Sequence, residues 1–196
     1  MKKRTAKEIR KTTETDIKIN LNLDGTGKYK IETGLGFLNH MLELFSKHSL
    51  IDLEIAAKGD LQVDEHHTTE DVGIALGAAL KRALGDKRGI ERYGFYVPMD
   101  EVLAQVVVDL GGRGYLVWNA KFKREMVGDM PTELFEHFFY SIAQNLGCNI
   151  HVNVPYGTNE HHKAEAIFKA FARALRAAIS YDKRAKDLLP STKGSL

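Results

Sequence analysis

Apolar and polar residues alternate through Ile17, Ile19, Leu21 and Leu23, the period of a strand with one buried face, so residues 7–23 read as extended chain. Asp24-Gly25-Thr26-Gly27 is a turn signal, and residues 28–33 are expected to return beside the first strand as a hairpin. The period then changes to that of a helix over 35–48, with Phe37, Leu38, Met41, Leu42 and Phe45 on one side. Alternation resumes at 50–56 and Gly59-Asp60 ends it. A long alanine-rich apolar run predicts a helix over 65–84, and the polar break at 85–89 is the expected boundary between halves.

The same order follows again. Strands are expected over 94–97 and 103–110, and Gly111-Gly112-Arg113-Gly114 occupies the place of the first turn before 115–118 returns. A helix over 132–146 has Thr132 as its predicted N-cap and Glu133 in its first turn. A strand over 149–154, a loop at 156–158 and a helix over 159–180 complete the series. The tail, Pro190-Ser191-Thr192-Lys193-Gly194, is polar and expected to be exposed or to close over a site. These periods predict an α+β fold: an internally duplicated sandwich of two β-sheets and a four-helix layer, its halves 1–88 and 89–196 forming one compact unit.

Both long helices open on the same motif. Asp64-Glu65-His66-His67-Thr68-Thr69-Glu70 starts the first, and Asn159-Glu160-His161-His162-Lys163-Ala164-Glu165 starts the second, 95 positions later. The repeat extends further, because Phe37-Leu38-Asn39-His40-Met41 matches Leu134-Phe135-Glu136-His137-Phe138. His40 precedes His66 by 26 residues and His137 precedes His161 by 24. Six of the eight histidines thus occupy matched positions; His48 and His151 stand outside the pattern. His151, inside a strand, is expected to be structural, and Trp118 and Phe138-Phe139-Tyr140 to be core or interface.

Composition narrows the classes. Lys and Arg number 28 against 26 Asp and Glu, and a formal charge of +2 argues against a general nucleic-acid binder. A single cysteine, Cys148, excludes intrachain disulfides and leaves His and carboxylate as the metal donors. No signal peptide or membrane span is visible, so a cytoplasmic protein is expected.

Residues four apart on a helix share a face, whereas adjacent residues point about 100° apart. His66 and Glu70 can reach one ion, as can His161 and Glu165; His67 and His162 are expected to serve a second. Pseudo-two-fold symmetry makes two crossed sites the economical arrangement. One takes His66, Glu70, His162 and one of His40 or His137; the other takes His161, Glu165, His67 and the remaining one. The ligands could meet within one chain or across a subunit interface. Such a donor set suits Mn, Fe, Co, Ni or Zn rather than Ca or Mg, and four protein ligands leave an octahedral ion open positions. A di-metal hydrolase and a non-enzymatic metal-storage or sensor protein both accommodate the repeat alone.

The motif set as a whole resembles the imidazoleglycerol-phosphate dehydratase family of histidine biosynthesis, over nearly the whole length. The resemblance rests on Gly36-Phe37-Leu38-Asn39-His40-Met41-Leu42, Asp64-Glu65-His66-His67-Thr68-Thr69-Glu70-Asp71-Val72, Asp109-Leu110-Gly111-Gly112-Arg113, Phe135-Glu136-His137-Phe138-Phe139 and Asn159-Glu160-His161-His162-Lys163-Ala164-Glu165. It implies ribosomal S5 domain 2-like halves and the monofunctional form, without the phosphatase domain fused to some members. It implies two Mn2+ per active site, with His40, His66, His67, Glu70, His137, His161, His162 and Glu165 as ligands. Further implied are substrate contacts from Glu14, His48, Arg92, Arg113, Lys169, Ser191, Thr192 and Lys193, and trimers assembled into a 24-subunit shell whose active sites draw on more than one subunit.

The implied reaction is the dehydration of imidazoleglycerol phosphate to imidazole acetol phosphate. The hydroxyl on the carbon attached to the ring leaves, and the next carbon loses a proton that is not acidic at the outset. A metal-held imidazolate can expel the hydroxyl to give a diazafulvene; the neighbouring proton is then acidic, and the resulting enol becomes the ketone. Glu14 is the candidate for proton transfer. Arg92, Arg113 and Lys193 are the candidates for the phosphate, Arg by bidentate geometry and Lys as a point charge.

Overall fold

A computed structural model describes residues 3–94, 96–185 and 187–196. The first half runs β1 (Thr5–Lys11), β2 (Thr15–Asn22), β3 (Tyr29–Glu32), α1 (Gly36–Ser49), β4 (Asp52–Gly59) and α2 (His66–Leu84). The second runs β5 (Tyr93–Gly94), β6 (Val97–Met99), β7 (Val102–Asp109), β8 (Tyr115–Asn119), β9 (Met126–Val127), β10 (Met130–Pro131), α3 (Glu133–Leu146), β11 (Asn149–Tyr156) and α4 (Glu160–Ile179). The mixed α+β content agrees with the periods of the sequence.

The first sheet has the order β1-β2-β4-β3 and the second β5-β7-β11-β8, with β6 also paired to β7. In the first, β2 runs antiparallel to β4 and β3 parallel to it; in the second, β7 runs antiparallel to β11 and β8 parallel to it. This corrects the expected hairpins. The chain leaving Asp24–Gly27 does not return beside β2, and the chain leaving Gly111–Gly114 does not return beside β7. Each instead forms an outer strand that a helix must cross over to reach its parallel neighbour, as parallel pairing requires. The first turn is pinned to the start of β4, where Asp52 Oδ1 accepts from the backbone N–H of Thr26 (2.8 Å) and Lys28 (3.0 Å). The true hairpin lies earlier: residues 7–23 are two strands, β1 and β2, joined at 12–14.

Strand alternation delivers the core. Ile17, Ile19 and Leu21 on β2, Leu53 and Ile55 on β4, Val102, Ala104, Val106 and Val108 on β7, and Ile150 and Val152 on β11 are all buried. Helix α2 covers the first sheet and α4 the second, and the halves meet helix on helix, α1 against α4 and α2 against α3. Phe135, Phe138, Phe139, Phe168 and Phe171 fill the centre; Trp118, half-buried, packs against this core and stacks on Phe139 at 5.8 Å, whereas Tyr140 is exposed. The α2–α3 approach is close because α2 offers glycines at the crossing. A Cβ on Gly73 would stand 3.0 Å from Phe138 O, and one on Gly77 2.9 Å from Ile142 O.

The break at 85–89 is not a free linker. Lys87, 6 % exposed, donates to Leu110 O at 3.0 Å, and Gly89 N donates to Leu188 O at 3.0 Å. Arg4 makes a comparable tie at the other end. Its guanidinium donates to both Asp24 oxygens and to Ile179 O, and lies 4.5 Å over the Tyr181 ring. Arg4→Ala is therefore expected to cost about 2 kcal/mol, the scale of a part-buried charged hydrogen-bond set. The Arg4 hydrogen bond holds the Asp24 carboxyl below its ordinary value. The tie is complete at neutral pH and is lost as the pH falls through that lowered value. Denaturant unfolding of both proteins across acid pH checks this: the difference should be full at pH 7 and shrink toward strongly acid pH.

Among the described residues no helix is long and apolar enough to cross a membrane.

Candidate metal centre

The second His-His motif enters its helix through a side-chain cap, and the first is preceded by an aspartate at the matched position that makes one such bond. Asn159 Oδ1 accepts from the N–H of His161 (2.9 Å) and His162 (3.3 Å), and Asp64 Oδ1, at the matched position, accepts from His66 N at 2.8 Å. Of the two helices that face the motifs, α3 is capped differently from expectation. Thr132 takes helical dihedrals without capping, and its hydroxyl donates to Arg124 O at 2.8 Å. The N-terminus of α1 is met by Asp129, from the β9–β10 ribbon, which accepts from Gly36 N (2.5 Å) and Phe37 N (2.9 Å).

The seams between halves bring the matched side chains together. Across α1 and α4, His40 Nε2 lies 2.8 Å from Glu165 Oε1 and His161 Nε2 3.3 Å from the same atom. Across α2 and α3, the His66 and His137 rings are 4.7 Å apart, and His137 Nε2 lies 3.0 Å from Glu70 Oε1. In each triad one donor atom per residue falls within 4.8 Å of the others. Of the two histidines between which the sequence leaves a choice, His40 lies with His161 and Glu165, and His137 with His66 and Glu70. His67 and His162 belong to neither triad.

The electrostatics of the two seams differ. Burial pushes the Glu165 carboxyl up, but hydrogen bonds from Lys169 (2.6 Å), His40 and His161 outweigh it and hold the group at about 2. His48, two turns beyond His40, is lowered by its own burial and by the Lys169 and Arg173 charges. The α2–α3 seam is less satisfied internally: His137 Nε2 is buried without an aligned hydrogen-bond partner although Glu70 is near. A buried imidazole nitrogen left without a proton partner beside a carboxylate and a second imidazole fits a cation, and two histidines with one carboxylate suit a borderline divalent ion. Cys148 is no competitor as a donor, since burial pushes its thiol up to about 12.

Beyond the triads, His67 Nδ1 lies 3.0 Å from Asp60 and its Nε2 lies 3.7 Å from Glu14 Oε1, which brings Glu14 from the β1–β2 turn to a motif histidine. His162 Nδ1 lies 2.9 Å from Glu101, and its Nε2 lies 4.0 Å from Asp100. The hydrogen bonds with Asp60 and Glu101 raise His67 and His162 respectively, and the His162 bond in turn holds the Glu101 carboxyl at about 2. Neither Asp60 nor Glu101 belongs to a repeated motif, so nothing in the sequence singled them out.

The remaining candidates, Lys169 apart, fall at another corner, built from other elements. Arg92, with φ 70°, is bonded to both Asp109 oxygens (2.5 and 2.9 Å) and to Pro190 O (2.8 Å). A Cβ on Gly112 would run into Leu196, so the Gly112-Arg113 turn abuts the end of the tail. Ser191 Oγ accepts from Lys193 N at 3.2 Å; Arg113, Thr192 and Lys193 are exposed. Lys169 belongs with the first triad, and His151 is exposed on β11.

Comparison with known proteins places the chain among relatives of one family. The family profile described as imidazoleglycerol-phosphate dehydratase matches residues 33–175. An imidazoleglycerol-phosphate dehydratase of Methylorubrum extorquens is 53% identical over 194 residues, 98% of this chain and 100% of that protein. A histidine biosynthesis bifunctional protein of Spirosoma linguale is 58% identical over 193 residues, 98% of this chain but 50% of that protein, so this chain spans only half of that relative. The crystal structure of imidazoleglycerol-phosphate dehydratase from Staphylococcus aureus superposes with a TM-score of 0.82 at 44% identity, covering 91% of this chain and 99% of that one. With that identity, that coverage and that shared fold, the chain belongs to the imidazoleglycerol-phosphate dehydratase family.

Proposed function

We infer that this chain is a hydro-lyase of histidine biosynthesis that converts imidazoleglycerol phosphate to imidazole acetol phosphate. The observation that carries the reading is the pair of matched triads, His40, His161 and Glu165 on one seam and His66, Glu70 and His137 on the other, in a chain of the dehydratase family. The ions we assign are two Mn2+ per active site. His67 and His162 complete the triads of a neighbouring copy, which accounts for their exclusion from both triads of their own chain. An assembly of trimers into a 24-subunit shell, implied by the family resemblance, would supply those contacts. The corresponding order of four strands in each sheet, with β6 an addition to the second, and the matched motifs support descent of 1–88 and 89–196 from one duplicated unit.

When bound, the ions supply Lewis acidity that favours the anionic form of the substrate's imidazole ring. The chain's own residues do the rest. His40, His66, His161, Glu70 and Glu165 fix the geometry in which the ring is received. Glu14, exposed and 3.7 Å from His67 Nε2, moves the proton that must leave the carbon next to the one losing hydroxyl. Arg92, Arg113, Ser191, Thr192 and Lys193 receive the phosphate, a reading supported by the meeting of Arg92 and the tail at one corner. Lys169 and His48 line the α1–α4 seam and hold the substrate between the two regions.

The test is to incubate Mn-loaded protein with imidazoleglycerol phosphate and assay the enolisable ketone and free phosphate in one tube. Ketone without phosphate, lost on chelation and restored by Mn, is expected. Phosphate release would make the protein a di-metal hydrolase, and neither product with metal bound would make it a storage or sensor protein. Glu14→Gln should retain metal and assembly while turnover falls by about 100-fold or more, the scale of a lost proton-transfer group. Steady-state kinetics with wild-type turnover would remove Glu14 from the reaction.

A further inference from the structure

His67 and His162 are held alike by residues that the repeat does not relate. Asp60, directly after the last residue of β4, lies 3.0 Å through Oδ2 and 3.2 Å through Oδ1 from His67 Nδ1. Glu101, in the turn between β6 and β7, lies 2.9 Å through Oε2 from His162 Nδ1. Neither carboxylate is loose. Asp60 is largely covered, its side chain 18% exposed, and Glu101 is fastened to the start of α4 through Asn159 N at 2.9 Å. The same contact has been built twice from different parts of the fold, at the two motif histidines that lie outside the triads.

An imidazole that donates its Nδ1 proton to a carboxylate carries its lone pair on Nε2, and its ring is held against rotation. That is the state a ligand histidine needs before an ion arrives. At both residues Nε2 faces a further carboxylate, Glu14 at 3.7 Å from His67 and Asp100 at 4.0 Å from His162, so the free nitrogen points into a region already favourable to a cation. We propose that Asp60 and Glu101 are positioning residues that fix His67 and His162 as Nδ1-protonated tautomers and present Nε2 to a divalent ion held by the triad of a neighbouring copy. The proposal rests on the ligand role assigned to His67 and His162 above and adds the residues that prepare them.

The experiment titrates metal-free assembled protein with Mn(II) and follows free Mn(II) by electron paramagnetic resonance. Asp60→Ala and Glu101→Ala should each weaken binding of part of the Mn by about 10- to 100-fold, the usual effect of removing the partner of a ligand histidine. Asp60→Asn and Glu101→Gln keep an acceptor for the Nδ1 proton and should recover most of that loss. The unfolding midpoint of the metal-free proteins is recorded alongside, since a merely structural role would move the midpoint and leave affinity alone. Should an alanine variant fail to fold, Asp60→Leu and Glu101→Met keep bulk without an acceptor and carry the same expectation. His67→Ala and His162→Ala separate the two layers of the argument. If they lose Mn and the Asp60 and Glu101 variants bind like wild type, the positioning role is overturned. If the histidine variants themselves bind like wild type, the ligand reading falls.

Discussion

Glu165→Ala is expected to lower turnover by at least about 100-fold and to strip the protein of part of its metal. Loss of the carboxylate that we assign as a direct ligand should exceed the loss on removing the partner of a ligand. Glu165 is the only carboxylate of the α1–α4 triad, and one of its oxygens serves both His40 and His161 while the other accepts from Lys169. Its removal subtracts the negative charge that offsets the ion and leaves the Lys169 ammonium, already close to His48, without its carboxylate partner. An unpaired ammonium at this seam opposes cation binding as well as costing stability. Glu165→Gln should retain the shape and an acceptor for Lys169 yet still lose metal, because the neutral amide is a poor ligand. Elemental analysis of dialysed protein with parallel kinetics checks both variants; wild-type metal content with wild-type turnover would remove Glu165 from the centre.

The second large effect is on stability. Gly77→Leu should cost about 3 kcal/mol, at the upper end of overpacking, and lower the melting temperature by about 6–12 °C for a chain of this size. The Cβ alone would stand 2.9 Å from Ile142 O and 3.0 Å from Asn145 Cβ, and neither backbone can yield without parting α2 from α3. That seam carries His66 and Glu70 on one side and His137 on the other, so the same substitution should weaken metal binding although it touches no ligand. Gly73→Leu, one turn nearer the triad, should shift the balance toward metal loss. Calorimetry and metal titration on both variants test the ordering; an unchanged melting temperature would mean the helices are not held by this contact.

Local period made much of this legible in the sequence. Ile17, Ile19 and Leu21, like Val102 to Val108, fix their strand and its buried face without reference to anything distant. The spacing of His66 and Glu70, and of His161 and Glu165, fixes which side chains share a helix face. What escaped is what depends on remote partners. Asp24-Gly25-Thr26-Gly27 declares that the chain bends but not that β3 will pair with β4 after a helical crossover. Thr132 has the chemistry of an N-cap, yet its hydroxyl is taken by Arg124 O. The cap of α1 comes instead from Asp129, 93 residues from Gly36. The pairing of His40 with the second motif and His137 with the first follows from the packing of α1 on α4 and α2 on α3, which no repeat specifies.

The most direct test of a metal centre shared between copies is complementation. His40→Ala breaks a triad, and His67→Ala removes the histidine that we assign to a neighbour's triad; each variant alone should be nearly inactive. Co-assembled in equal amounts, they should regain turnover approaching about a quarter of wild type, because an intact triad from one variant then meets an intact His67 from the other. Mixed assemblies that stay as inactive as their parents would contradict a site completed across subunits and return His67 to its own chain.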